Sequence, residues 1–442
     1  MKIAVVGLGK LGAPLAAVMA SKGHDVLGID INPRAVELLN DGRPPVEEPG
    51  LSELISASRQ RLRATTELAA AAECEVTLII VPTPSDERGA FTNRFALAAL
   101  EEIGRGLASR DEYHVVVISS TVMPGACEAE LAPALERASG RRIGDSLGLC
   151  YSPEFIALGN VIRDMLEPDM VLIGQSDPRA GEVLEKLYRS VCENDPPFRR
   201  MSLVNAELTK IAVNTYVTMK ISYANALADM CERLPGADVE VVTDALGLDT
   251  RIGRKYLRGA IGYGGPCFPR DNKAFAVLAR DLGAEPLLAE ATDAVNRAQT
   301  DRLARAVQSR LKDGDTVGIL GLAYKPDTGL IEESPGVALA RALGAAGYGV
   351  QIYDPLALVS ATSALEGIAQ PAASITELLE RSDVVVIATP WSGFADLPLD
   401  AMRRNGRRTV VIDCWRLLSD EIYADTIDIV RLGQALAGSS WV

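Results

Sequence analysis

Histidine is nearly missing from this 442-residue chain, which holds two, His24 and His114. A Ser-His-Asp arrangement or a histidine-ligated metal therefore has almost nothing to draw on. Acid–base chemistry falls to carboxylates, lysine, cysteine or bound water. Cysteine is sparse and unpaired: seven residues, an odd number, with no CxxC spacing. That argues against a disulfide framework and against a zinc site, so no metal is expected. Long apolar runs are missing too. The longest, such as Val76–Val81 and Val384–Ala388, have strand length and fall well short of a bilayer span. Positive charge is outweighed, with a net charge of −14. This disfavours nonspecific nucleic-acid binding and anionic membrane surfaces. Lys2 leads directly into Ile3–Val6 with no secretory leader pattern, so the cytoplasm is the expected location.

The composition, 48% hydrophobic and 24% charged, is that of a globular protein, and the length calls for two or three domains. The first third alternates β-rich runs with helical patterns. Lys2–Val6, Asp25–Ile29, Val76–Val81, His114–Ser119 and Leu147–Tyr151 read as strands. Such alternation implies βαβ units and a parallel sheet with helices on both faces. From Asn205 to Leu234 the pattern turns helical, with alanine-rich apolar faces at period 3.6 that suit a spine between domains or a dimer surface. Helical spacing continues through Asp271–Leu282 and Pro286–Leu311. After Asp313 the alternation resumes, with strands at Thr316–Leu320, Gly349–Tyr353, Val384–Ala388 and Thr409–Ile412. Here "VGILG" and "VQIYDP" echo the N-terminal "IAVVG" and "VLGIDI", with glycine after one strand and aspartate ending the next. The expected fold is α/β, two Rossmann-like doubly wound domains joined by a long central helix. Its boundaries are 1–200 for cofactor binding, 201–312 for a helical dimerisation region with a cysteine loop, and 313–442 for the second Rossmann-like domain. Gly438–Val442 reads as a loose tail.

Gly7, Gly9 and Gly12, with Lys10 and Leu11 between them, follow a strand and open the helix Ala13–Ser21. The first glycine permits a tight turn and the second lets a pyrophosphate approach the backbone. The third allows close helix–strand packing, with the helix N-terminus facing the anion. Asp30 ends the next strand, where a carboxylate can bind both ribose hydroxyls and repel a 2′-phosphate. NAD is thus the expected cofactor, with Arg34 close enough to soften the preference. Thr83 and Ser120-Thr121 each follow a strand of the same sheet. Any one of these residues alone reads more readily as a cap or turn, but ligands collect at such carboxyl ends and the shared position favours a cofactor contact.

The segment Gly262–Asp271, "GYGGPCFPRD", is the most unusual in the chain. Three glycines mark backbone that bends sharply or approaches a ligand. Pro269 suits the first turn of a helix, which leaves Cys267 just before an N-terminus, where the helix dipole favours a thiolate. The other six cysteines lie in apolar or ordinary helical contexts. Asp271 lies about one turn from Cys267, suited to holding a water or a lysine. Lys210 and Asn214 share a face of the long helix at i, i+4, and the apolar neighbours of that helix make a desolvated lysine plausible.

"GYGGPCFPRD", "SPEF", "ELTKIAVNTY" and "GLAYKPDT" together resemble the UDP-glucose/GDP-mannose dehydrogenase family over nearly the whole chain. The resemblance implies a homodimer that oxidises the C6 alcohol of a nucleotide sugar to a carboxylate with two NAD⁺. It implies that Cys267 is the nucleophile, that Lys210 stabilises oxyanion charge with Asn214 beside it, and that Asp271, Thr121 and Glu154 position or deprotonate water. Arg251 matches an arginine acting across subunits. Tyr256, Arg258, Tyr263 and Gly264 match the nucleotide pocket, Lys325 beside Tyr324 a lysine near the substrate phosphates, and Arg270 a cofactor contact. The stretch Glu154, Phe155, Ile156, Ala157 and Leu158 matches the family's sugar-binding loop.

Three departures stand out. Leu158 occupies the place of a second acid, Glu332 that of an arginine near the cofactor, and Trp415 that of the arginine in a "DGRN" motif, which reads Asp413-Cys414-Trp415-Arg416 and leaves Arg416 as a substitute. The catalytic set is whole, while the sugar nucleotide stays open between UDP-glucose and another hexose such as GDP-mannose. A two-electron β-hydroxyacid dehydrogenase shares the N-terminal fold and the helical lysine with its asparagine, but needs no Cys267. A nucleotide-sensing relative without turnover is the remaining alternative.

Overall fold

A computed structural model describes residues 1–156, 158–404, 407–423 and 426–435. Ala157 and the tail Gly438–Val442 lie outside the described residues. The chain divides into two compact units, Met1–Ala212 and Val213–Val442.

The first unit is built on an eight-stranded sheet: β1 (Lys2–Val6), β2 (Asp25–Ile29), β3 (Leu62–Thr65), β4 (Val76–Ile79), β5 (His114–Ile118), β6 (Leu147–Tyr151), β7 (Val171–Gln175) and β8 (Phe198–Ser202). The order is β3-β2-β1-β4-β5-β6-β7-β8, parallel except where β7 runs against β6. The order reverses between β1 and β4, the switch point where an open sheet leaves a crevice beyond its strand ends. β4, β5 and β6 are buried at every position, as a sheet covered on both faces requires. One face packs on the helix Gly12–Ser21, through Leu15, Ala16 and Met19 among others. The opposite face packs on Arg94–Leu107 through Leu100, Ile103 and Leu107.

The second unit repeats the plan. Its strands are β9 (Thr316–Leu320), β10 (Gly349–Tyr353), β11 (Gln370–Pro371), β12 (Val384–Ile387), β13 (Arg403–Arg404), β14 (Arg407–Asp413) and β15 (Ile427–Arg431). They run β11-β10-β9-β12-β14 with β15 parallel beside β14, which is the 3-2-1-4-5-6 order of a Rossmann sheet. β13 is a short antiparallel hairpin arm. The two doubly wound sheets expected from the β-rich runs are both present.

The boundary between units falls inside one helix, Leu203–Arg233, of 31 residues. Its buried seam adds polar residues to the expected alanine-rich apolar face. Ala206, Ile211, Ala224 and Ala228 are buried, but so are Glu207, Lys210, Asn214, Thr218, Ser222 and Asn225. Those six recur at spacings of three or four, so they form a polar stripe along one side of the helix. A buried polar side chain is costly without a partner, and each of these has one within its own unit. Glu207 accepts from the Gly125 and Cys127 amides at 2.6 and 2.8 Å, and Lys210 donates to the Glu154 carbonyl at 2.5 Å. Asn214 donates to Asp271, Thr218 to the Thr215 carbonyl and Ser222 to that of Thr292. Asn225 bonds both the Ala260 amide and the Ile261 carbonyl at 2.9 Å.

Candidate active site

In the first unit the glycine cradle follows β1. Gly7 has φ +96° and an added Cβ would lie 2.5 Å from the Ile80 carbonyl oxygen. At Gly12 the Cβ would lie 1.7 Å from the Gly7 oxygen. Both positions therefore exclude any side chain. Gly9 is different: its Cβ would meet nothing within 4 Å, so the space before the helix is open. Lys10 is exposed and Leu11 half-buried at the turn. Asp30 accepts the Leu8 amide at 2.6 Å on one oxygen and the Asn32 amide at 2.8 Å on the other. Each carboxylate oxygen has two lone pairs, so this leaves acceptor capacity for a ribose. Arg34 is paired with Glu37 at 2.6 Å on an exposed helix face.

Thr83 and Ser120 knit the ends of neighbouring strands. The Thr83 hydroxyl donates to the Thr121 carbonyl at 2.6 Å, and the Ser120 hydroxyl donates to the Val81 carbonyl while accepting the Val81 amide. Thr121 therefore begins a loop fixed at one end by Thr83 and at the other by Glu207. Past β6 the Glu154 carboxylate accepts the Tyr188 hydroxyl at 3.0 Å. The Lys210 ammonium, bonded to the Glu154 carbonyl, sits 4.6 Å from the centre of the Phe155 ring. Burial pushes the Glu154 carboxyl up, against the opposing pull of the Tyr188 hydrogen bond and the Lys210 charge. Ile156 and Leu158 pack against the apolar cluster of this unit, so their side chains turn toward the core. The hydrophobic residue at 158 fills space where the family pattern has an acid.

In the second unit Cys267 stands immediately before the helix Phe268–Asp281, with Pro269 in its first turn. The Asp271 amide closes that turn onto the Cys267 carbonyl at 2.8 Å. Asp271 is 1% exposed, accepts from Asn214 at 2.6 Å and lies 3.6 Å from the Arg270 guanidinium. All seven cysteines lie among the described residues. Cys267 is exposed, Cys74 and Cys192 are half-buried, and the other four are buried. Burial pushes the Cys74 and Cys192 thiols up to about 11 and raises those of Cys127, Cys150, Cys231 and Cys414.

The loop before Cys267 is held from several sides. An Asn296 amide pairs with both the Tyr263 N–H and carbonyl, and the Tyr263 hydroxyl donates to Asp293 at 3.0 Å. Gly264 lies so close to the Glu333 carbonyl that a Cβ would come within 2.2 Å. Gly265, at φ +84°, stacks on the Tyr324 ring and donates its amide to Glu332. The Tyr324 hydroxyl is pushed up to about 12, first by burial and then by the nearby Cys267 and Glu332 charges. Lys325 follows it, half-buried. Tyr256, at φ +63°, and Tyr263 both present their rings to Phe268 at 6.3 Å.

Other residues named from the sequence lie elsewhere on this unit's surface. Arg251 is exposed and clasps Asp249, while Arg258 donates to the Trp415 carbonyl and pairs with Glu240. Arg416 does not replace the missing family arginine: its guanidinium is committed to both oxygens of Asp238, at 2.8 and 2.9 Å. Glu207, Asn225 and Tyr188 escaped the sequence reading. The first two carry a signal that finds them, polar residues in phase with Lys210 and Asn214, whereas Tyr188 carries none.

Three models of the UDP-glucose/GDP-mannose dehydrogenase family match: the NAD binding domain over residues 1–192, the central domain over 204–298 and the UDP binding domain over 318–420. The chain belongs to this family. A UDP-glucose 6-dehydrogenase of Haloferax volcanii is 38% identical over 425 residues, covering 95% of this chain and 97% of that one. A GDP-mannose 6-dehydrogenase of Pseudomonas aeruginosa is 33% identical, covering 80% and 81%. The solved UDP-glucose dehydrogenase of Pyrobaculum islandicum superposes with a TM-score of 0.88 at 35% identity, covering 98% of each chain. As a member of a family of NAD-dependent nucleotide-sugar dehydrogenases, the protein takes NAD, and the open space at Gly9 beside the half-buried Asp30 fits a dinucleotide. Among the described residues no helix is long and apolar enough to cross a membrane.

Proposed function

We propose that the protein oxidises UDP-glucose to UDP-glucuronate, in two two-electron steps through a covalent adduct on Cys267. The observation that carries this reading is the contrast among the cysteines. Six are half-buried or buried with their thiols driven up, and the exposed one begins a helix, where the dipole favours the thiolate nucleophile. NAD⁺ supplies the electron acceptor, one per oxidation and two per sugar. The C6 alcohol first becomes an aldehyde, and the Cys267 sulfur bonds to its carbon to give a thiohemiacetal. The second oxidation leaves a thioester. Water then adds to the thioester carbonyl, the carbon–sulfur bond breaks, and the carboxylate leaves with the thiol restored.

Lys210 stabilises the oxyanion that develops at C6. Asn214 and Asp271, joined at 2.6 Å, orient a group beside the cysteine, and Glu154 takes the proton of the hydrolytic water with Thr121 positioning it. Gly7, Gly9, Gly12 and Asp30 hold the dinucleotide. Lys325 and the loop at Gly264 take the substrate's nucleotide. UDP-glucose is favoured by the higher identity and coverage of the Haloferax volcanii UDP-glucose enzyme, 38% over 95% of this chain, against 33% over 80% for the GDP-mannose enzyme. A homodimer through the long helix is supported by Tyr216, Tyr223 and Met230, 55%, 55% and 63% exposed and spaced by seven, which leaves an apolar stripe on that helix. Arg251, exposed and held by Asp249, would then reach the partner's substrate. A cytoplasmic enzyme supplying an acidic sugar for polysaccharide synthesis fits this chemistry.

The test is NADH yield from UDP-glucose, GDP-mannose and a UDP-N-acetylhexosamine in turn. Two NADH per UDP-glucose, with at least tenfold lower kcat/KM on the others, are expected. Selective turnover of GDP-mannose overturns the choice of sugar nucleotide. Acid formation surviving in Cys267→Ala overturns the covalent route in favour of a simple two-electron dehydrogenase.

A further inference from the structure

Glu154 is half-buried in the first unit, on the segment that follows β6, and burial pushes its carboxyl up. A carboxyl drawn out of water tends to hold its proton, because burial penalises the charged form. A group that must take a proton from water is useless in that state. Three titratable groups face it. Tyr188, on the helix Pro178–Arg189, donates its hydroxyl to Glu154 Oε1 at 3.0 Å. Lys210, on the long helix, brings its ammonium to the Glu154 backbone carbonyl at 2.5 Å. Cys192, just beyond the Tyr188 helix, is close enough for the Glu154 charge to contribute to its raised thiol.

These three are not equivalent. Cys192 stays a neutral thiol and contributes little. Lys210 bonds the Glu154 carbonyl and also serves the reacting oxygen, so its charge is shared. Tyr188 bonds the carboxylate oxygen directly. It is 6% exposed, and burial followed by the Glu154 charge drives its hydroxyl well above the usual phenol range, so it stays a donor at every working pH.

We propose that Tyr188 is a positioning residue for the reaction: its hydroxyl fixes the Glu154 carboxyl in one orientation and keeps it in the carboxylate form that takes the proton of the hydrolytic water. The inference rests on the role given to Glu154 above and adds the group that keeps Glu154 ready. A tyrosine packed only to fill the core would need no hydroxyl aimed at a carboxylate.

Tyr188→Phe removes the hydroxyl and leaves the ring. With the donor gone, the carboxylate loses a charge-assisted hydrogen bond and Glu154 protonates at higher pH. The rate of acid formation, measured against pH with the nucleotide sugar the enzyme turns over, should keep its plateau. Its acidic limb should move up by about one pH unit, roughly tenfold lower activity below the limb. A titration of ¹³C-carboxyl-labelled glutamates, with Glu154→Gln identifying the resonance, should move by the same amount without any turnover. An unmoved limb and resonance overturn the proposal, as does a rate lowered equally at all pH values, which is the signature of packing damage. Glu154→Gln separates this from failure of the underlying reading. If that variant forms acid at the wild-type rate, Glu154 is not the base and the functional assignment falls. If it is inactive while Tyr188→Phe leaves the limb in place, the assignment of Tyr188 alone falls.

Discussion

The two Rossmann sheets solve one packing problem in the same way and then diverge at one carboxylate. After β1 and after β9 a glycine with positive φ, Gly7 or Gly321, turns the chain. In both cases its amide bonds the last residue of the neighbouring strand, Ile29 or Tyr353. A second glycine, Gly12 or Gly336, lets a helix press onto the first, since a Cβ there would lie 1.7 or 2.2 Å from the first glycine's oxygen. Each neighbouring strand is followed by an aspartate that accepts the amide just past the glycine, Leu8 to Asp30 and Leu322 to Asp354. There the likeness ends. Asp30 has two donors and a half-buried side chain. Asp354 is 1% exposed and has five: the amides of Leu322, Ala323, Leu356 and Ala357 and the indole of Trp391. The same acid keeps open acceptor capacity in one unit and is a structural hub in the other. The turn differs as well. Four residues separate Gly7 from Gly12, whereas Gly321 and Gly336 bracket a longer loop carrying Tyr324 and Lys325.

The comparison breaks most visibly at Asp354. In Asp354→Asn the amide nitrogen must face either three donors or two, and unpaired buried donors cost about 1–3 kcal/mol each. Urea melts should show a loss of roughly 3 kcal/mol, with NAD affinity unchanged. A stability within experimental error of the parent would show that the second carboxylate is no hub. The converse change, Asp30→Ala, should cost the melt less than Asp354→Asn, about 1 kcal/mol, because of its two amides only that of Leu8 belongs to a buried residue. It should weaken NAD binding by about 10- to 100-fold, the worth of hydrogen bonds to a charged group. Fluorescence titration with NAD reads that directly, and an unaltered affinity would remove Asp30 from the cofactor site.

How much of this could be read in advance differs by residue. The glycine–strand–aspartate echo was legible because both units need the same backbone turn, and only glycine at Gly7 and Gly321 meets it. The fates of the two aspartates were not: Trp391 is 37 residues from Asp354, and no local pattern announces that its indole will close the site. Edge strands were hidden for another reason. β8, Phe198–Ser202, carries two arginines and is exposed at three of five positions, so it shows neither an apolar run nor an alternation. β7, by contrast, is apolar and buried, but it reverses direction against β6 and so falls outside a βαβ reading. The long helix shows both outcomes together. Its length followed from the 3.6-residue spacing of apolar positions, whereas its polar seam was masked by intervening alanines, although Glu207, Lys210, Asn214, Thr218, Ser222 and Asn225 keep helical phase. Cys267 was legible from its glycines and Pro269. Tyr188 was not, because its partner Glu154 lies 34 residues away on another element.

The smallest effect offers the sharpest separation of the two cradles. Gly9 has no counterpart after Gly321, and it is the glycine the fold itself does not require. Its φ lies outside the left-handed region, and an added Cβ meets no protein atom within 4 Å. Gly9→Ala should therefore keep the melting temperature, or raise it slightly, because alanine restricts the unfolded chain by about 0.4–1 kcal/mol. The same methyl occupies space that a pyrophosphate approaching the backbone would need. NAD affinity should fall by roughly tenfold, about 1.4 kcal/mol. Stability kept while affinity drops is what separates a ligand-facing glycine from the packing glycines Gly7 and Gly12, where alanine must damage the sheet first. An affinity that survives the methyl would place the dinucleotide away from Gly9 and leave the two cradles more alike than their carboxylates suggest.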